Sequence, residues 1–278
     1  MSCARSWANR TRINPRVPNR HPPRAASYTR EVPDNGPQPA FDVDAVSFDA
    51  GNTLIYCDPS PAALYAAALS DLGRPVTVDE VAVVFAERWE AEQRRGAPGV
   101  DRYASRGGDA RVWWRGFVDS VLGRLDHDAD ATTLFERLWE DFSRPDVWHA
   151  VPDADDTLRE LAARGLRLAV TSNWDHRLPQ ILADLGLAAL LDVITVSHLE
   201  GVEKPAEGIF RVTTRRLGVR PSRCVHVGDS PREDYAGATA AGLRAVLFDP
   251  DRRFADDGYV RVERLSQLAS LLRSTSPG

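Results

Sequence analysis

The chain has 278 residues, 43% hydrophobic and 27% charged, with a formal net charge of −5. That profile suits one large α/β unit or a core with an inserted second unit, and no stretch approaches the ~18 uncharged apolar residues of a membrane span. The acidic balance argues against a general nucleic-acid binder. Three scattered cysteines, Cys3, Cys57 and Cys224, offer neither a disulfide framework nor a zinc-ligand pair, so a reducing, cytoplasmic setting is expected. Of the 35 basic residues only Lys204 is a lysine. Either it is simply the last lysine left, or the position needs a compact ammonium that the planar fork of arginine does not replace.

Residues 1–40 carry seven arginines against Glu31 and Asp34, together with seven of the 19 prolines, and show no apolar periodicity. They are expected to form a disordered Arg/Pro-rich tail outside the fold. From Phe41 the pattern changes. A short apolar run ending at Phe48 is closed by Asp49-Ala50-Gly51-Asn52, which predicts a buried strand meeting a turn. Residues 58–149 then read as helices only, over Pro61–Leu72, Val78–Arg95, Ala110–Leu125 and Thr132–Phe142, and hold Trp89, Trp113, Trp114 and Trp139. After them come strand-like runs at Leu166–Thr171, Val193–Val196, Cys224–Val227 and Arg244–Phe248. These alternate with helical stretches at Asp153–Arg164, His176–Leu185, Ala206–Leu217, Arg232–Ala241 and Val262–Leu272. Such alternation predicts a parallel, doubly wound sheet with helices on both faces. The expected division is therefore a core of residues 41–57 and 150–278, with residues 58–149 inserted as an all-helical cap.

In sheets of this kind ligands sit beyond the carboxyl ends of the strands. Asp49 follows the first strand, Ser172 and Asn173 the second, and Gly228-Asp229 the fourth; Lys204 precedes a helix and Asp234 lies five residues after Asp229. Two or three carboxylates, one ammonium and one hydroxyl suit a hard cation and a phosphate. Taken singly each residue is weak evidence, since an Asp at a strand end also caps helices and Ser172 could cap a turn.

Their order and spacing say more. FDAGNTL (48–54), LAVTSNWD (168–175), EKPAEGIF (203–210) and VHVGDSPRED (225–234) resemble the four motifs of the haloacid-dehalogenase-like (HAD) hydrolase superfamily. The resemblance spans about residues 42–250 and accounts for the single lysine. It implies a Rossmann-like α/β core with a helical type 1 cap. SNWDHRL and the Trp113-Trp114 pair look most like the rhythmically-expressed-gene-2-like branch. By the same resemblance Asp49 would be a nucleophile forming an aspartyl-phosphate. Ser172 and Lys204 would hold the transferring phosphoryl group, and Asn173 would contact substrate or stabilise its loop. Mg²⁺ would bind Asp49, the carbonyl of Gly51 and Asp229, with Asp234 nearby. The implied partner is a small phosphorylated substrate, with the protein a monomer or homodimer.

One position departs from the pattern. Phosphatases of the family carry a second Asp two residues after the nucleophile as general acid and base, and here that residue is Gly51. General acid catalysis is worth ~10²–10⁴-fold, so leaving groups that need no proton are favoured. Three readings stay open: a Mg²⁺-dependent phosphohydrolase, a phospholigand-binding protein with little or no turnover, and a 2-haloacid dehalogenase. The last is disfavoured by the intact Gly228-Asp229 pair. Arg94, Arg95, Arg102 and Arg106 form a basic stretch that either meets an anionic substrate or is a solvated loop. His176 is the histidine expected nearest the site and a candidate replacement acid. Trp113 and Trp114 cannot share one helix face, so at least one of them is expected in the core or at a cap–core contact.

Overall fold

In the computed structural model, residues 41–95, 99–254 and 258–274 are described; the tail expected over residues 1–40 lies outside them. The described chain opens with β1 (Phe41–Val43) and β2 (Ala45–Phe48), then turns into β3 (Ile55–Cys57). Four helices follow, α1 (Pro61–Asp71), α2 (Val78–Arg95), α3 (Ala110–Leu125) and α4 (Ala131–Asp141), and β4 (Trp148–Ala150) closes the excursion. Beyond it run α5 (Ala154–Ala163), β5 (Arg167–Ser172), α6 (Leu178–Asp184), β6 (Val193–Val196), α7 (Ser197–Glu200) and α8 (Glu207–Leu217). The chain continues through β7 (Cys224–Gly228), α9 (Gly237–Ala240), β8 (Arg244–Phe248), β9 (Arg261–Val262), α10 (Leu268–Leu271) and β10 (Leu272–Ser274).

Six strands form one parallel sheet in the order β6-β5-β2-β7-β8-β9. From β2 the chain moves outward through β5 and β6, then returns to the other side of β2 for β7, β8 and β9. That reversal makes β2 the topological switch point, where the carboxyl ends of neighbouring strands splay apart and leave a crevice. Asp49, Ser172 and Asp229 all sit at that edge, on the ends of β2, β5 and β7.

The four helices between β3 and β4 have a core of their own, built on Tyr65, Leu69, Trp113, Phe117, Val121 and Leu138. Their ends are set by local chemistry. Ser60, Asp109 and Asp130 cap α1, α3 and α4 through bonds to the Ala63, Arg111 and Thr133 amides. In α3 the buried residues Ala110, Trp113, Phe117 and Val121 recur at three- and four-residue steps, with Val118 and Leu122 four apart beside them, which puts one apolar stripe on the bundle interior.

Two expectations need correction. The insert is not purely helical: Trp148–Ala150 is a strand, paired antiparallel with Ile55–Cys57 as a two-stranded ribbon at the root of the bundle. Nor is Val262–Leu272 one helix. Its apolar residues recur at helical spacing, but Val262 extends the main sheet beside Phe248, and Leu272–Ser274 pairs in parallel with Phe41–Val43. Only the single turn Leu268–Leu271 remains α-helical, because ladder bonds to distant strands outweigh a short segment's helix preference.

Candidate active site

The first strand end is held tightly. The Asp49 amide donates to the Val227 carbonyl of β7 at 2.8 Å, and the Ala50 carbonyl accepts from Thr53, Leu54 and Ile55, folding the chain back at once. This turn brings Asn52 to a positive φ of 57° and leaves the Asp49 carboxylate at the mouth of the crevice.

Lys204 comes from the loop before α8 and is buried to 2% of its accessible surface. Its ammonium lies 2.8 Å from Asp49 Oδ1 and 2.6 Å from Asp234 Oδ1. Burial opposes the lysine's charge, but the Asp234 and Asp49 carboxylates outweigh it and hold its pKa above the ordinary value. For Asp234, burial favours the neutral acid, while Lys204 and His226 outweigh that and hold its pKa below the usual carboxylate range. Asp234 is reached from every side: His226 Nε2 at 3.0 Å on Oδ1 and the Ser230 amide at 2.9 Å on Oδ2. It packs so closely on β7 that a Cβ on Gly228 would fall 2.2 Å from the Asp234 Cγ, so only glycine fits there.

Asn173 clamps the peptide of Lys204. Its Oδ1 accepts from the Lys204 amide at 2.7 Å and its Nδ2 donates to the Lys204 carbonyl at 3.0 Å. These bonds tie the loop after β5 to the loop that carries Lys204. Nδ2 also reaches Glu233 Oε2 at 3.2 Å. Ser172 ends β5 beside β2, buried, in register with Val196.

Asp49, Asp229 and Asp234 each offer an oxygen within 4.8 Å of the others. This oxygen-only donor set fits a hard dication such as Mg²⁺. Asp229 also meets the Arg253 guanidinium at 3.5 Å.

The helical insert touches the core near this edge. Trp114 Nε1 donates to Asp175 Oδ2 at 2.8 Å, while Trp113 is buried within the bundle, so the adjacent pair divides between the two roles. Arg102 is 7% exposed, with Nε 2.7 Å from Glu203 Oε2 and Nη2 4.0 Å from Glu233 Oε1. It therefore serves core carboxylates, neither solvated nor free for an anionic substrate. Arg94 and Arg95 pair with Glu90 and Glu92 on α2, and the side chain of Arg106 lies outside the described residues.

His176 is exposed and faces the rings of Trp139 and His198. The histidine built into the site is His226, which spacing alone did not single out. Trp174 was missed as well: its Cζ3 would lie 3.2 Å from a Cβ on Gly51. A signal for His226 existed, because it is the polar residue in the otherwise apolar run CVHVG.

Comparison with known proteins agrees with this geometry. A sequence profile described as haloacid dehalogenase-like hydrolase matches residues 43–242. The chain belongs to the haloacid dehalogenase-like hydrolase family. It is 41% identical over 146 residues to the mouse haloacid dehalogenase-like hydrolase domain-containing protein 3, covering 51% of this chain and 58% of that one. The match thus spans less than two thirds of that relative's length. It is 34% identical to a ribulose-1,5-bisphosphate 5-phosphatase of Halopiger xanaduensis, covering 74% and 84%. The rhythmically expressed gene 2 protein of Drosophila melanogaster is 26% identical, with 73% and 81% covered, in keeping with the branch resemblance. Among solved structures, a HAD phosphatase from Thermococcus onnurineus superposes with a TM-score of 0.56 at 26% identity, covering 81% of this chain and 96% of that one. Among the described residues no helix is long and apolar enough to cross a membrane.

Proposed function

We propose that this HAD-family chain is a Mg²⁺-dependent phosphohydrolase acting on a small phosphorylated metabolite, with residues 58–149 as its cap. The observation that carries the reading is the Lys204 ammonium set between Asp49 and Asp234 at the sheet's switch point. Asp49 attacks phosphorus, the bond to the leaving oxygen breaks, and an aspartyl-phosphate forms that water then hydrolyses. Lys204 neutralises phosphoryl oxygens and Ser172 contributes a hydroxyl to the same group. Asp49, the Gly51 carbonyl and Asp229 would hold Mg²⁺, which supplies charge neutralisation at the phosphoryl group. Asp234 stands beside them, with an oxygen within 4.8 Å of both Asp49 and Asp229, and holds Lys204 through Oδ1. The phosphatase activity named for the Halopiger relative supports the same reaction class.

The leaving group is the distinguishing point. Gly51 supplies no acid, Asp175 is held ionised against Arg177 and Trp114, and His176 faces Trp139 and His198. The favoured substrates are therefore acyl, aryl or pyrophosphoryl compounds, whose leaving groups need little protonation. The same observation favours the second reading, a phospholigand-binding protein with little turnover. Mg²⁺-dependent phosphate release from acetyl phosphate, p-nitrophenyl phosphate and an alkyl phosphate, run beside Asp49→Asn, separates the two. Release that prefers the activated esters and vanishes in the variant supports the hydrolase; no release from any of them supports the binding protein.

A further inference from the structure

Behind the site, a line of buried polar side chains crosses the sheet face that packs on α8. Apart from Arg167 and Ser172 at the two ends of β5, the strands AVSF, RLAVTS, VITV and CVHVG are otherwise apolar, yet Ser47, Thr171, Thr195 and His226 all fall on this face. Ser47 is in register with His226, and Thr171 with Thr195. All four are fully buried, as is Thr213 of α8, which covers them. Ordinary packing would place apolar groups here, since a buried hydroxyl left without a partner is destabilising.

None is left unpartnered. Thr213 Oγ1 reaches Thr171 at 2.7 Å, Thr195 at 3.0 Å and the Ile209 carbonyl at 3.2 Å. Thr171 Oγ1 lies 2.7 Å from Ser47 Oγ, and Ser47 Oγ lies 3.1 Å from His226 Nδ1. His226 Nε2 ends the chain on Asp234 Oδ1 at 3.0 Å. An ionised carboxylate only accepts, so Nε2 carries a proton; in the neutral ring Nδ1 is then the acceptor for the Ser47 hydroxyl. Phe210 packs edge-on against the imidazole at 5.0 Å and closes it off from water. The ring is fixed in plane and tautomer by Ser47 on one side and Asp234 on the other.

We infer that His226 is a positioning residue: braced by Ser47, it orients Asp234, which in turn sets the Lys204 ammonium on Asp49. The same oxygen, Asp234 Oδ1, receives both His226 Nε2 and Lys204 Nζ, so rotation of the carboxylate carries the ammonium with it. Mutating groups that orient a metal-ligating residue typically costs about 10- to 100-fold in metal affinity or activity, and a loss on that scale is expected here. Only the kinetic arm of this inference rests on the phosphohydrolase reading.

The single lysine makes the test direct. In the full chain labelled with ¹⁵N-lysine there is one side-chain ammonium signal, visible near neutral pH only while its protons are shielded from exchange. His226→Phe keeps a flat ring and removes the donor; His226→Gln returns a donor at the position of Nε2. The expected result is a shifted or lost Lys204 signal in His226→Phe, substantially restored in His226→Gln, with kcat on acetyl phosphate following the same order. A Lys204 signal unchanged in folded His226→Phe overturns the inference, as does equal loss in both variants, which would mean packing alone. If His226→Phe does not fold, Ser47→Ala carries the test, and an unmoved Lys204 signal there overturns the bracing. Absence of phosphate release from the wild-type chain would count against the phosphohydrolase reading and leave the spectroscopic result standing.

Discussion

Trp174 stands against the space that a side chain on residue 51 would enter, its Cζ3 3.2 Å from the position of a Cβ there. Contact that close forces the neighbour to yield by a few tenths of an ångström, and the indole is itself held edge-on by Trp148 at 5.0 Å. The site lacks the second Asp and also has an aromatic wall where that residue would sit. Gly51→Asp alone should therefore improve turnover of an alkyl phosphate only slightly. Gly51→Asp combined with Trp174→Ala should raise it by up to ~10²-fold, the lower range of general acid catalysis. Initial rates on alkyl and acetyl phosphate for the wild type and the two variants check this. Equal gains on both substrates would show that the missing acid is not what limits the reaction.

Lys204 offers a sharper test of charge. Removing one partner of a buried ion pair strands the other, at a cost of about 3–5 kcal/mol. Lys204→Met leaves Asp49 and Asp234 facing each other without their shared ammonium and should lower the melting temperature while abolishing turnover. Lys204→Arg keeps the charge but brings a planar fork into a cavity shaped for a point charge. It should retain more stability than Lys204→Met and recover little activity. Differential scanning calorimetry beside phosphate release separates the two effects; an active Lys204→Arg would remove the argument from geometry.

Much of this arrangement was legible in the chain. Five strands of the main sheet, β2, β5, β6, β7 and β8, read clearly because each is a short apolar run ended by a polar turn, whereas β9 is hidden at the start of an expected helix; the helices of the insert carry capping residues and a 3.6-residue stripe. Asp49, Lys204 and Asp234 were placed by strand ends and motif spacing, and the structure brings them into contact. What could not be read depends on distant partners. Leu272–Ser274 is extended because it pairs with Phe41–Val43, some 230 residues away. His226 looks like an isolated histidine in an apolar strand until the register of β2 and β7 sets it beside Ser47. Trp174 gives no local hint of meeting Gly51, which lies on another strand end.

Two of the thiols are expected to be inert. Burial pushes Cys57 up to about 12, helped by the nearby Asp58 carboxylate, and pushes Cys224 up to about 12 as well. At pH 7 only about one part in 10⁵ of each is thiolate. Mass spectrometry after treatment with a thiol reagent should find Cys57 and Cys224 unmodified in the folded chain and fully modified in denaturant. Rapid labelling of Cys57 under native conditions would mean that the β3–β4 ribbon opens readily.

The contact between insert and core should be sensitive to acid. Asp175 is fully buried, which favours its neutral form, but bonds and charge from Arg177, together with the Trp114 indole, outweigh this and hold its pKa below the ordinary value. A carboxylate so depressed adds stability at pH values above its unfolded pKa, about 3.9, and that contribution is lost as pH falls through the folded one. Asp175→Asn keeps an oxygen for Trp114 Nε1 and removes the charge that faces Arg177. The stability gap between wild type and Asp175→Asn, read from denaturant midpoints followed by tryptophan fluorescence, should be widest near pH 7. It should stay flat down to about pH 5 and narrow toward pH 3. A gap that widens on acidification would mean that Asp175 is protonated in the folded chain and that the Trp114 contact does not depend on its charge.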